Sequence, residues 1–271
     1  MKSILLHIDA DDCLEARLQA AMDIARAYDG HITCLHAVNY EIFAPGDFYG
    51  SAMAAAVPRI KKAADDLRKK VEADLANEDV AWDWRTVHGM AETKLLEQSA
   101  LHDVIIVGPH DMGREGAGPS ILVGELVLKA PVPVLVIPKN CKRLEMSAPI
   151  MVAWNGSFEA CVALRAAVPL LSSSGEVILA SVAEKDEHER FDFPPVEGAK
   201  YLSRHGIDAE IMDIPRGDAK IADTLFSAAQ ERGCGMMVMG AFGHSRLSEF
   251  LFGGVTRRAL SEPQMPILLA H

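Results

Sequence analysis

The sequence predicts an α/β fold built twice, as two open, doubly wound, five-stranded parallel sheets in tandem. Three observations carry this expectation. Compact apolar runs alternate with amphipathic helical stretches, the pattern of parallel strands joined by crossover helices. The same order of elements starts again near the middle of the 271 residues, a length that suits two domains of roughly 130 residues each. Each half also closes on a short apolar run introduced by proline, Pro133–Pro138 and Pro266–Ala270. The expected domains span 1–140 and 148–271.

In the first half, Lys2–Asp9 is an apolar run ending in a carboxylate and reads as a buried strand. Asp11 or Asp12 can cap a helix with Leu14, Leu18, Ala21 and Ala25 on one face, and Gly30 can end it. His31–Val38 is the second strand. Turn residues Pro45, Gly46 and Gly50 mark a variable stretch, followed by a helix over about Ala52–Ala76 that Pro58 should break or start. Ala81–Val87 is a strand, Ala91–Ala100 a short amphipathic helix, and Asp103–Gly108 a buried strand.

The second half repeats the order. Pro149–Asn155 matches the first strand, with Asn155 in the place of Asp9. Ser157 can cap a helix carrying Cys161, Leu164, Val168 and Leu171, with Pro169 disturbing its last turn. Val177–Val182 is a strand, and the charged stretch Ala183–Pro195 a loop. A helix near Val196–His205, a strand near Ala209–Ile214, a helix near Asp218–Arg232 and the strand Gly235–Gly240 follow. The linker, about Lys139–Ala148, has no Gly/Ser tract, so the halves should be docked rather than flexibly tethered.

Composition narrows the function. A net charge of −11 argues against a nucleic-acid binder, which needs a basic surface. No run is long enough for a membrane span, the N-terminus has no export signal, and the five cysteines are scattered. The expected location is the cytoplasm.

Chemistry concentrates in Gly240-Ala-Phe-Gly243-His-Ser-Arg-Leu-Ser-Glu-Phe-Leu-Phe-Gly253-Gly254-Val-Thr256. The segment runs from the carboxyl end of a strand to the start of a helix near Val255–Ser261. Its glycines let backbone N–H groups approach an anion, and a helix N-terminus adds unsatisfied donors. Ser245 and Thr256 offer hydroxyls, and Arg246 or Arg257 can offset phosphate charge. The loop matches neither the Walker A pattern nor the dinucleotide fingerprint, which turns the reading away from P-loop ATPases and hydride-transfer enzymes.

With these residues the chain resembles the universal stress protein family, whose nucleotide-binding members carry G-x-x-G, nine residues, then G and a small hydroxyl residue. Gly240, Gly243 and Gly253 meet that spacing, and Val152-Ala-Trp-Asn-Gly-Ser157 is similar to the family's first strand and turn. The resemblance implies a Rossmann-like fold and an adenine-nucleotide site, with ATP as ligand, alone or with Mg2+. Asn155 and the backbone near Ala153 and Val182 would hold adenosine. Gly240, Gly243, Ser245, Arg246, Gly253, Gly254, Val255 and Thr256 would surround the phosphates. Two residues depart from the family: Asn155 stands for its usual Asp, and Gly254 for its usual Ser or Thr.

The first half departs further. After Gly108, the positions of the spaced glycines hold Asp111 and Ile121, so no ATP is expected there. Elsewhere bland readings prevail. His7, His36, His88, His102 and His110 lack metal-ligand spacing. Asp11-Asp12 suits capping better than catalysis. Met236, Met237 and Met239 suit a buried strand, Trp82 and Trp84 share one strand face, and 184–190 reads as a solvated loop. His244, inside the glycine loop, can touch a phosphate or face solvent.

The resemblance thus implies a tandem, non-enzymatic stress-response module that binds ATP in its second half and acts through a protein partner. The alternatives are a slow ATP hydrolase or phosphotransfer protein, with Ser245 or Thr256 near the γ-phosphate, and an interaction protein that binds no nucleotide. Family members commonly pair through the last strand. The two halves would therefore form an internal pseudo-dimer through Pro133–Ile137 and Pro266–Leu269, with association of two chains left open.

Overall fold

The computed structural model describes residues 1–39, 49–111, 120–182, 193–215, 217–241 and 254–271, with side chains described from residue 56 onward in the second segment. In the first half β1 (Ser3–Ile8), α1 (Leu14–Tyr28), β2 (His31–Val38), α2 (Tyr49–Leu75), β3 (Ala81–His88), α3 (Ala91–Ser99), β4 (Val104–Val107), α4 (Ile121–Lys129) and β5 (Val134–Val136) follow in order. The second half comprises β6 (Ile150–Ala153), α5 (Phe158–Leu171), β7 (Val177–Val182), α6 (Pro195–Ser203), β8 (Ala209–Ile214), α7 (Ile221–Glu231), β9 (Met236–Gly240), α8 (Gly254–Ser261) and β10 (Ile267–Ala270).

The strands form one ten-stranded sheet in the order β3-β2-β1-β4-β5-β10-β9-β6-β7-β8. Within each half every pairing is parallel. The halves meet through the antiparallel pair β5–β10, with Leu135 opposite Leu268. The two expected sheets are therefore joined edge to edge. The central strands are buried on both faces, which explains their uninterrupted apolar sequences. Alternate residues of β1 serve different layers: Ile4, Leu6 and Ile8 belong to one buried cluster with Val71 of α2 and Leu164 of α5, while Leu5 belongs to another with Leu95 of α3, Leu126 of α4 and Phe226 of α7. Both cores run across the β5–β10 seam, because each draws residues from both halves.

Local capping agrees only in part with expectation. Ser157 caps α5, its Oγ accepting from the Ala160 N–H at 3.2 Å. Neither Asp11 nor Asp12 is the N-cap of α1; Cys13 is, without a side-chain cap. The Asp11 carboxylate instead accepts from the Cys13 N–H at 2.7 Å and from Arg17. Helix α2 passes through Pro58, which is exposed, so the backbone acceptor freed by the missing N–H lies on the solvent side. Helix α4 was not expected. Its sequence, ILVGELVLK, has little polar face and an interior glycine, so it shows no amphipathic period to read.

The linker is docked. Leu144 is buried, and its N–H donates to Asp23 of α1 at 2.8 Å. The Tyr28 hydroxyl of α1 donates to the Pro169 carbonyl of α5 at 2.7 Å, tying the same helical layer across the halves.

Candidate functional site

In an open α/β sheet the crevice for a ligand lies beyond the carboxyl ends of the strands, where the winding direction reverses. In the second half that point falls between β6 and β9, since β7 and β8 lie to one side and β10 to the other. Register aligns Ala153 of β6 with Met239 of β9, and with Ala180 of β7. Asn155 and Gly240 therefore follow neighbouring strand ends on either side of the reversal, and Val182 ends the next strand over. Ala153 and Val182 are half-buried. Asn155 is exposed, and its Oδ1 accepts from the Ser157 N–H at 3.2 Å, holding the turn that starts α5.

Gly240 has a structural duty as well. A Cβ there would lie 2.5 Å from the Glu159 carbonyl carbon and 2.6 Å from the Ala160 nitrogen. The strand can press against the first turn of α5 only without a side chain. Gly254 differs: it opens α8, is exposed, and a Cβ there would meet nothing within 4 Å. Val255 is half-buried, while Thr256 is 5% exposed. Arg258 is engaged by Asp223 at 2.8 Å and Glu262 at 3.3 Å; Arg257 is exposed. Gly243, His244, Ser245, Arg246 and Gly253 lie outside the described residues.

Two buried polar atoms, one in each half, come into correspondence only in the fold. Ser181 of β7 is half-buried, and its Oγ is inaccessible, with no hydrogen-bond partner among the described residues. The strand registers match it to His36 of β2, whose Nδ1 is likewise buried and unpartnered among them. Buried polar atoms are nearly always paired, and these two stand at matching strand positions in the two halves. Only the strand pairing reveals the match, since Ser181 and His36 share no sequence motif.

The first half is built differently at its own reversal, between β1 and β4. Asp111 stands where the second half has Gly243, and its carboxylate occupies the start of α4. It accepts from the Ile121 N–H at 2.8 Å, the Leu122 N–H at 3.4 Å and the Ser120 hydroxyl. The donors that a helix N-terminus would offer an external anion are thus bound to an internal one. Residues 112–119 lie outside the described segments.

Beside it, Arg17 of α1 is fully buried. Its Nη1 donates to both Asp11 oxygens at 2.8 Å, its Nε to the His7 carbonyl at 3.1 Å and its Nη2 to the Asp9 carbonyl at 3.4 Å. A Cβ on Gly108 would lie 2.6 Å from that Nη1. The matching residue of α5, counted from Asp9 and Asn155, is Ala163. Burial, then the Arg17 charge and His36, push the His7 imidazole down to about 3. Burial also pushes the Asp9 carboxyl up and the His36 imidazole down.

Metal chemistry has no visible seat: among the described residues no three His, Cys, Asp or Glu side chains gather in a way that could hold an ion. No described helix is long and apolar enough to cross a membrane.

Comparison with known proteins follows the same division. The universal stress protein family model matches residues 1–138 and again 146–271. No curated protein matches the chain. Among solved structures, a universal stress protein from Archaeoglobus fulgidus DSM 4304 superposes with a TM-score of 0.75 at 14% identity, covering 99% of this chain and 96% of that one. A protein assigned to the same family from Pseudomonas aeruginosa UCBPP-PA14 gives 0.61 at 19% identity, covering 100% and 93%. A protein of unknown function from Pseudomonas aeruginosa PAO1 gives 0.59 at 19% identity, covering 100% and 92%. At these identities the likeness shows the fold. The two successive family matches show more: the chain belongs to the universal stress protein family, as a tandem, two-domain member.

Proposed function

We propose that the second half, over 148–271, binds an adenine nucleotide, ATP, alone or with Mg2+, and that the first half, over 1–140, does not. The observation that carries this reading is the placement of Asn155, Val182 and Gly240 at three neighbouring strand ends around the winding reversal. The glycine loop leaves from the same point and ends at the N-terminus of α8. Asn155 supplies a neutral hydrogen-bonding group for the base or ribose, with Ser181 beside it. Backbone donors around Gly243, Gly253, Gly254 and Val255 meet the phosphates, aided by Ser245, Arg246 and Thr256. We read the protein as a non-enzymatic stress-response module of the cytoplasm, signalling its nucleotide state to a protein partner.

The contrast with the first half supports one site per chain. There Asp111 already holds the α4 donors, and polyphosphate would meet a carboxylate where it needs N–H groups. Isothermal titration with ATP should show one site per chain, weakened strongly in Gly243→Val, where a branched side chain blocks close backbone approach. Unchanged affinity in that variant sinks the assignment. Two sites per chain overturn the distinction between the halves.

A further inference from the structure

The first half keeps an open cleft despite its capped anion position. About 430 Å³ lies beyond the carboxyl ends of β1 and β2, walled by α2 and by the turn from β3 into α3. Ile60, Ala64 and Leu67 of α2 give it an apolar side, Asp9 and Glu92 two carboxylates, and His36 a buried imidazole. No lysine or arginine lines it among the described residues.

We propose that this cleft binds a small organic cation, its apolar body against α2 and its charged head at Asp9 and Glu92. Three arguments converge. The His36 side chain is 9% exposed, held edge-on by Trp84 at 5.8 Å between ring centroids, and its Nδ1 has no partner among the described residues. Buried polar atoms are nearly always paired, and the residue that carries this one lines the cleft. Second, the charged lining among the described residues is wholly acidic, so an anion is repelled and a cation is drawn in. Third, burial raises the Asp9 carboxyl and keeps the His36 imidazole uncharged. An incoming cation therefore meets an acid that burial penalises more than the nearby Arg17 charge and the Ala10 N–H relieve it, and no positive charge on the ring. One Asp9 oxygen is spent on the Ala10 N–H at 2.8 Å.

The site is independent of the nucleotide reading. The full chain is titrated with benzylamine, its uncharged counterpart benzyl alcohol, adenosine and ATP, following melting temperature and binding heat. Benzylamine should bind saturably at concentrations up to about 10 mM, benzyl alcohol at least about tenfold more weakly. Asp9→Asn should weaken benzylamine about tenfold or more, while Gly243→Val in the other half leaves it unchanged. Ala64→Trp fills the cleft from α2 without altering charge, and decides the matter should Asp9→Asn misfold. Equal binding of benzylamine and benzyl alcohol overturns the proposal. So does no benzylamine response, adenosine bound in benzylamine's stead, or full binding by folded Ala64→Trp.

Discussion

Arg17 and Asp11 form the most deeply buried ion pair among the described residues: the guanidinium is fully buried, and the carboxylate side chain keeps 13% exposure. Removing either partner leaves the other charged, but only Asp11 has solvent within reach. Asp11→Ala should therefore cost about 3–5 kcal/mol, and Arg17→Met clearly less; chemical denaturation of both variants measures the order. His7 gives a second test. Its imidazole stays neutral in the fold down to about 3, whereas in the unfolded chain it takes a proton near its ordinary 6.5. The unfolded state thus binds more protons between these values. The His7 contribution is fully present above pH 6.5 and drains away as pH falls toward 3, by up to about 1.4 kcal/mol per pH unit. Urea midpoints measured against pH should show a slope in this window that flattens in His7→Leu. None of this was legible in the sequence. Arg17 lies in a helix whose apolar stripe was read correctly, but its burial depends on Gly108, far along the chain.

At the scale of elements, legibility followed physical cause. Strands buried on both faces announced themselves as apolar runs, and Ser157 announced its helix because a cap is a local device. Helix α4 stayed hidden because it is held by a carboxylate nine residues before its cap, Asp111 to Ser120, and by packing on the sheet. The same comparison gives α8 its test. Gly254 opens the helix with free space around its missing Cβ, so Gly254→Ser fits and restores the hydroxyl usual in the family. ATP affinity should rise severalfold, by the roughly 0.5–1.5 kcal/mol of a net hydrogen bond, with thermal stability nearly unchanged. A titration showing no gain would mean that the phosphates do not reach this turn. The glycine spacing was readable as a candidate phosphate loop; Ser181 and His36, without a partner among the described residues, were not, because they come into correspondence only through strand register.

Across the whole molecule, the seam between β5 and β10 turns two family domains into one sheet with two shared cores. The outer edges, β3 and β8, are half-exposed and carry charge, with Asp83 bound to Arg85 at 3.1 Å and Glu210 bound to Arg232. Such edges resist strand addition by another chain. The melting temperature should then stay constant over a roughly hundredfold range of protein concentration, checked by scanning calorimetry; a rise with concentration would show that a second chain completes the fold.

The seam, with the single chain that carries it, also sets how the lobes can move apart. When like domains pair as separate chains, dilution can part them and exchange can mix loaded with empty partners. Here the lobes share one backbone, so their effective concentration is fixed by covalent tether and is indifferent to how much protein the cell makes. One lobe can then drift away from ligand duty and still serve as a permanent companion to the other. The relation between the lobes can therefore change only by a change of shape within a single chain, never by an exchange of one lobe for another.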